Sequence, residues 1–181
     1  AAQVELARLQ LSVGNTKDSV LSAEQATKSG PGNIPARLRL IRSLVAATDV
    51  ARAARELDSF KAQYPQWAEL ADVHSLDGLL AGQRNDERGA RAAFERALAV
   101  DKNFVEALSG LIALDLRARN FASAASRVDA RLQTNPTPEL LLLGARTYAT
   151  GGDLVTAERL LRRAIESDPT MLPAYGLLGQ L

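Results

Sequence analysis

The chain has 181 residues, 46% hydrophobic and 24% charged, which is enough apolar material for one or two domains with cores. Lys plus Arg is 22 and Asp plus Glu is 21, a formal net charge of +1 that argues against both a basic nucleic-acid glove and an acidic tail. The absence of cysteine and the single histidine exclude disulfides, thiolate chemistry and multi-histidine metal sites, and no apolar run is longer than Leu140–Leu143, so nothing in the sequence spans a membrane.

Alanine, leucine and arginine dominate, and all three favour helix. Arginine outnumbers lysine by 18 to 4, a hint of a GC-rich bacterial genome. The strongest signal is internal repetition. Apolar-periodic stretches end at Pro31, Pro65, Pro136 and Pro169, separated by 34, 71 and 33 residues, and the 71 divides into 37 and 34 if Lys102 stands in a missing proline's place. Repeats then run over about 1–33, 34–67, 71–104, 105–137 and 138–171, with a partial sixth at 172–181, and together they form a single array.

In chain order, the first repeat closes on the turn Pro31-Gly32-Asn33. After the second, three extra residues within Gln66–Leu70 should lengthen either the next helix or its loop. In the third, Asp86-Glu87 opens the second helix, where carboxylates favour the dipole, and Lys102 predicts that this helix runs on slightly. The fifth shows the pattern most fully: Leu141, Ala145 and Tyr148 recur at helical spacing, and Gly151-Gly152-Asp153 breaks the helix with Asp153 as N-cap. Ala157, Leu161 and Ala164 then form a second face, which Asp168-Pro169 terminates. Each helix is roughly 13 residues, about 20 Å long. The final helix, carrying Leu177, Leu178 and Leu181, has no second helix to cover it; with the missing initial Met, this predicts a window cut from a longer array.

This pattern resembles the tetratricopeptide repeat (TPR) family, a 34-residue helix–turn–helix unit. That family places bulky residues at positions 4, 7 and 24, small ones at 8, 20 and 27, an aromatic at 11 and Pro at 32. The fifth repeat matches with Leu141, Ala145, Tyr148, Ala157, Leu161, Ala164 and Pro169, and departs with Gly144 at position 7. The second matches with Leu40, Leu44, Ala53, Leu57 and Pro65, and departs with Ile41 and Phe60. The third supplies Gly78, Ala90, Phe94 and Ala97 but has Asp77 at position 7. The fourth supplies Leu108, Leu111, Ala124, Val128 and Pro136, with Arg131 where Ala is usual. The first is weakest, with Leu6, Ala7, Ser19, Ala23, Ala26 and Pro31. The resemblance implies an all-α, right-handed solenoid of five helix pairs plus one terminal helix, with Ala53, Ala90, Ala124 and Ala157 at the points where paired helices cross.

The resemblance also implies a concave groove lined by first-helix positions such as 5 and 9. Carried over, the groove candidates are Val4, Arg8, Leu38, Arg42, Leu79, Ala113, Leu142 and Arg146. Such a lining suits a protein or peptide segment that is acidic and partly apolar, since Arg grips carboxylates with two prongs. The Lys and Asn that carboxylate-clamping, chaperone-binding members carry at positions 5 and 9 are missing. No nucleophile elbow, phosphate loop or metal constellation is present, so the expected role is a non-catalytic scaffold with no cofactor and no metal. The cluster Arg37, Arg39, Arg42, Arg52 and Arg55, countered locally only by Asp49, lacks the stacking aromatics that nucleic-acid binding needs. His74 reads as a packed or satisfied residue and Trp67 as packing between repeats. The alternative role is assembly: self-association through the terminal helix, or packing within a larger envelope-associated protein, since the Ala/Leu/Arg-rich style is similar to bacterial envelope repeat lipoproteins. Both the cytoplasm and the bacterial envelope stay open as locations.

Overall fold

The computed structural model describes residues 2–181, and these are all-helical, with no strand among them. The helices are α1 (Ala2–Ser12), α2 (Thr16–Ser29), α3 (Ile34–Ala46), α4 (Val50–Gln63), α5 (Ala71–Gln83), α6 (Glu87–Val100), α7 (Val105–Arg117), α8 (Phe121–Leu132), α9 (Pro138–Thr150), α10 (Leu154–Ser167) and α11 (Leu172–Leu178). They fall into two compact units that divide between Lys102 and Asn103, α1–α6 in the first and α7–α11 in the second. Within a unit the packing is nearest-neighbour. The odd-numbered helices α3, α5 and α9 each touch the helix that follows them, the helix that precedes them and the previous odd-numbered helix.

The turn inside every pair is built the same way. Its last residue is left-handed: Gly14 (φ 79°), Thr48 (φ 60°), Asn85 (φ 60°), Arg119 (φ 56°) and Gly152 (φ 88°). That residue's N–H bonds back three residues, as from Thr48 to the Val45 carbonyl at 3.0 Å, and the next N–H bonds back five, as from Asp49 to Leu44 at 3.0 Å. This pair of bonds satisfies carbonyls that the helix end would leave bare. The next residue is always Asn or Asp: Asn15, Asp49, Asp86, Asn120 and Asp153. Each side chain accepts from the amide three residues on, at 3.3, 3.2, 2.8, 3.2 and 3.0 Å respectively. One residue thus starts each second helix while its own amide stops the first.

The crossing residues are where the resemblance places them. Ala53, Ala90, Ala124 and Ala157 are fully buried. In the first pair the crossing holds Ser19, whose hydroxyl donates to the Ala7 carbonyl at 2.8 Å. With that hydrogen committed, the 2.7 Å contact to Ser43 Oγ must be donated by Ser43, which ties α2 to α3 through a buried polar link. The departures at position 7 are explained by the preceding helix. Asp77 receives Lys61 of α4 in an ion pair at 2.5 Å. At Gly144 a Cβ would come within 2.9 Å of Val128 and 3.3 Å of Leu132, so the missing side chain makes room for α8. Gly78 likewise admits the Phe94 ring, 2.6 Å from where its Cβ would sit.

Three sequence expectations need correction. Helix α6 does not run on at Lys102: it ends at Val100, with the Asp101 amide bonded to Ala97, and its 14 residues equal those of α4 and α10. Trp67 is not a buried packing residue: it is 42% exposed, while nearby Tyr64 packs against the core, with its ring centroid 5.4 Å from that of buried Phe60. On α11, Leu177 and Leu178 pack against the core of the second unit, and the exposed apolar residues are Leu172, Tyr175 and Leu181. Of the two options for the extra residues after Pro65, the loop is the one taken: they form a single 3-10 turn, Pro65–Trp67, and a short connection, and α5 is not extended. An Ala157→Arg substitution forces a long cation into a sealed crossing and should cost about 3 kcal/mol or more. Amide hydrogen exchange should then show α9 and α10 losing protection ahead of α1 and α2; uniform loss over the chain would contradict the nearest-neighbour packing.

Candidate functional site

The first-helix candidates divide between the units. In the N-terminal unit, Arg8 is exposed on α1 and bound to Glu5 at 2.8 Å, and this guanidinium holds the Glu5 carboxyl below the usual carboxylate range. Val4 is half-buried on the same helix. Leu38, expected to line a groove, is instead 9% exposed and belongs to the core, because α3 has packed helices on both sides and an aliphatic side chain follows the burial open to it. Leu79 on α5 packs partly against the same core. The Arg42 side chain is 19% exposed and donates to Asp72 of α5 at 2.9 Å, so it joins two adjacent helices. Beside it, Gln83 of α5 donates to the Val45 carbonyl at 2.7 Å and closes the end of α3, a contact that nothing in local spacing announces.

In the C-terminal unit, Ala113 of α7 and Arg146 of α9 are exposed and Leu142 is half-buried against the core. Below them, Asp115 of α7 is nearly sealed and held by Arg127 Nε at 2.7 Å and Ser123 Oγ at 3.0 Å, both on α8. Such a carboxylate ties α7 to α8, because removing Arg127 would take away the cation that balances a buried charge.

The basic cluster of the first unit is answered by neighbours distant in sequence rather than by Asp49. Arg52 pairs with Glu24 of α2 at 2.7 Å, and Arg42 with Asp72. Arg37 donates to the Pro31 carbonyl at 2.7 Å and lies 5.3 Å from the centre of the Tyr64 ring. Asp49 instead spends its carboxylate on the α4 cap. His74 is buried with Nε2 3.2 Å from Glu69, a satisfied packing residue as its sequence position suggested. Among the described residues no three His, Asp or Glu side chains gather into a metal-holding group, and no helix is long and apolar enough to cross a membrane.

No protein-family model matches the chain, and no curated protein matches its sequence. Solved structures do. TTC0263, a thermophilic TPR protein of Thermus thermophilus, superposes with a TM-score of 0.77 at 17% identity, over 99% of this chain and 96% of that one. The fold is the tetratricopeptide-repeat fold. YrrB, described as a TPR protein with an unusual peptide-binding site, matches at a TM-score of 0.55 and 18% identity over 99% of this chain and 91% of that one. MamA protein matches at 0.53 and 14% over 93% and 91%. At these identities the likeness is one of TPR architecture, and the side chains on its faces are this chain's own.

One such side chain titrates unusually. Tyr148 sits at the TPR aromatic position of α9 and donates to Asp129 of α8 at 2.7 Å. Burial and that hydrogen bond, together with the nearby Asp129 and Asp153 charges, push its hydroxyl up to about 12. A pKa raised above the ordinary tyrosine value stabilises the fold fully below pH 10, and that contribution is lost as the pH climbs from 10 to about 12. The difference between tyrosinate absorbance titrations of the wild type and Tyr148→Phe should have its midpoint near 12. In that pH window the wild type should lose thermal stability more steeply than the variant; parallel curves would remove the linkage.

Proposed function

We propose that the chain is a non-catalytic interaction scaffold that holds a protein or peptide segment against the exposed side of its first helices. The TPR architecture supports this reading, and one structural neighbour, YrrB, is described as having a peptide-binding site. The observation that carries it is the mixed character of positions 5 and 9. Arg146 and Ala113 are exposed beside half-buried Leu142 in one unit, and Arg8 beside Val4 in the other. Preorganised helices present these groups without being ordered by the ligand, so the cost of binding falls mainly on the segment bound. A carboxylate-bearing, partly aliphatic segment fits such a surface.

Arg146→Glu is the variant of choice, because that side chain is exposed; Arg42→Glu would also set two carboxylates together at Asp72 and disturb the fold. On an array of acidic peptides and their glutamine analogues, the wild type should prefer the acidic set, and Arg146→Glu should weaken that preference by about tenfold with an unchanged circular dichroism spectrum. Equal binding to both sets by the wild type would end this reading.

A second reading, assembly through the chain's own surface, is favoured by the exposed Leu172 and Tyr175 on α11 with Leu181 after it, and by Leu6 and Leu9 on α1 with Val13 in the turn that follows. Light scattering should then show mass rising with concentration, and Leu172→Glu should abolish the rise. A constant monomer mass up to high concentration counts against it.

A further inference from the structure

The two units carry equivalent clefts on the side of the second helices, and comparing them reveals an asymmetry. Each cleft is lined by positions 25, 28 and 29 of one repeat and positions 19 and 23 of the next. In the N-terminal unit these are Glu24, Thr27, Lys28, Arg52 and Glu56, around a space of about 380 Å³. In the C-terminal unit they are Asp129, Leu132, Gln133, Thr156 and Leu160, around about 230 Å³.

In the first cleft the arginines are committed. Its acid at position 25, Glu24, is taken by Arg52, and its remaining wall arginine, Arg37, is spent on the Pro31 carbonyl and the Tyr64 ring, while Lys28 and Glu56 add one charge of each sign. The second is built differently. Its acid at position 25, Asp129, accepts from the Tyr148 hydroxyl rather than from an arginine, and the cations at the rim make no ion pair with it. Those cations are Arg159 and Arg163, one turn apart on α10, exposed, and without an ion-pair partner among the described residues. The arginine between them in sequence, Arg162, is by contrast bound twice by Glu158, at 3.0 and 2.6 Å. The floor also changes character: Lys28 and Glu56 of the first cleft are replaced by Gln133 and Leu160, and half-buried Leu132 lies beside them.

We infer that the cleft between α8, α9 and α10 is a second docking surface, one that receives a carboxylate side chain of a partner peptide between Arg159 and Arg163 and an adjacent aliphatic side chain on half-buried Leu132. Two guanidiniums at helical i, i+4 spacing can each donate a two-pronged pair of hydrogen bonds, which suits carboxylate geometry. A carboxylate side chain of a peptide is preferred to a free phosphate because half-buried Leu132 beside the guanidiniums offers aliphatic surface that a peptide side chain covers and an inorganic ion does not. The hydroxyl of Tyr148 acts as a positioning group: its hydrogen bond fixes the Asp129 carboxylate, which keeps its charge and offsets part of the field of the two arginines. None of the first-helix positions proposed for the other surface takes part, so either surface can fail alone.

The probe is an acetylated, amidated Leu-Glu-Leu-Glu-Leu peptide, with its glutamine analogue and inorganic phosphate as comparisons, titrated into the isotopically labelled full chain and followed by amide shifts. Binding should move Gln133 and Thr156 and favour the acidic peptide. Arg159→Gln with Arg163→Gln should weaken it by roughly tenfold or more, while Arg162→Gln leaves it unchanged. Asp129→Asn, which keeps an acceptor for Tyr148, should tighten it. The inference is overturned if no shift occurs, if the double variant binds as the wild type does, if Arg162→Gln loses as much as the pair, or if phosphate binds as well as the acidic peptide. Arg146→Glu should leave this titration unaltered, which separates failure here from failure of the first-helix surface.

Discussion

Two helices can lie as close as those of each pair only where one of them offers almost nothing at the contact, and the rest of this architecture follows from that. Ala53, Ala90, Ala124 and Ala157 are sealed at their crossings, and Ser19 holds the equivalent place with a hydroxyl that bonds the facing backbone. Once backbones approach there, the larger side chains on either side, such as Leu57, Val128 and Leu161, are driven into the buried layer. Bulk lost at the crossing is regained a turn away, so that packing density is preserved.

How much of this could be read from the sequence depends on how far each cause lies from its effect. Helix pairs and crossings were legible because their causes are periodic: a small residue at one position, an apolar one four further on, a proline at the end. Departures from the pattern were not. Asp77 and Gly144 look like errors within their own repeats and become sensible only beside Lys61 and Val128, which reach them from the helix before. Leu38 was misplaced for the same reason, since a repeat register cannot say that a particular leucine is covered from both sides. The arginines of the first unit seemed unopposed because their partners, Glu24 and Asp72, belong to other repeats. The Asn or Asp that starts each second helix was present in all five repeats, yet only Asp153, flagged by the glycines before it, was read as a cap, and Asp86 was read only as a charge that favours the dipole.

In the first unit several ion pairs therefore work between repeats. Ion pairs such as Arg52–Glu24 and Arg42–Asp72 join consecutive pairs within the first unit, while Arg127–Asp115 acts inside one pair of the second. Part-exposed pairs such as Arg52–Glu24 and Arg42–Asp72 contribute little stability singly. Their larger effect is selective: every arginine committed to an internal carboxylate is withdrawn from the surface offered to a partner. A near-neutral chain can in this way present local positive features where internal pairing stops.

The turns set a rule for how such a chain can vary in length. From repeat to repeat the stretch leading into the left-handed residue keeps its count, because a single added residue would separate the helix-ending carbonyls from the amides that close on them. The variation falls elsewhere: α4 to α5 is longer and α8 to α9 ends its first helix early. Growth by whole hairpins leaves every such lock intact, whereas a one-residue slip inside a hairpin does not. The joints between hairpins are accordingly where insertions, tags or grafted loops would be absorbed with least disturbance.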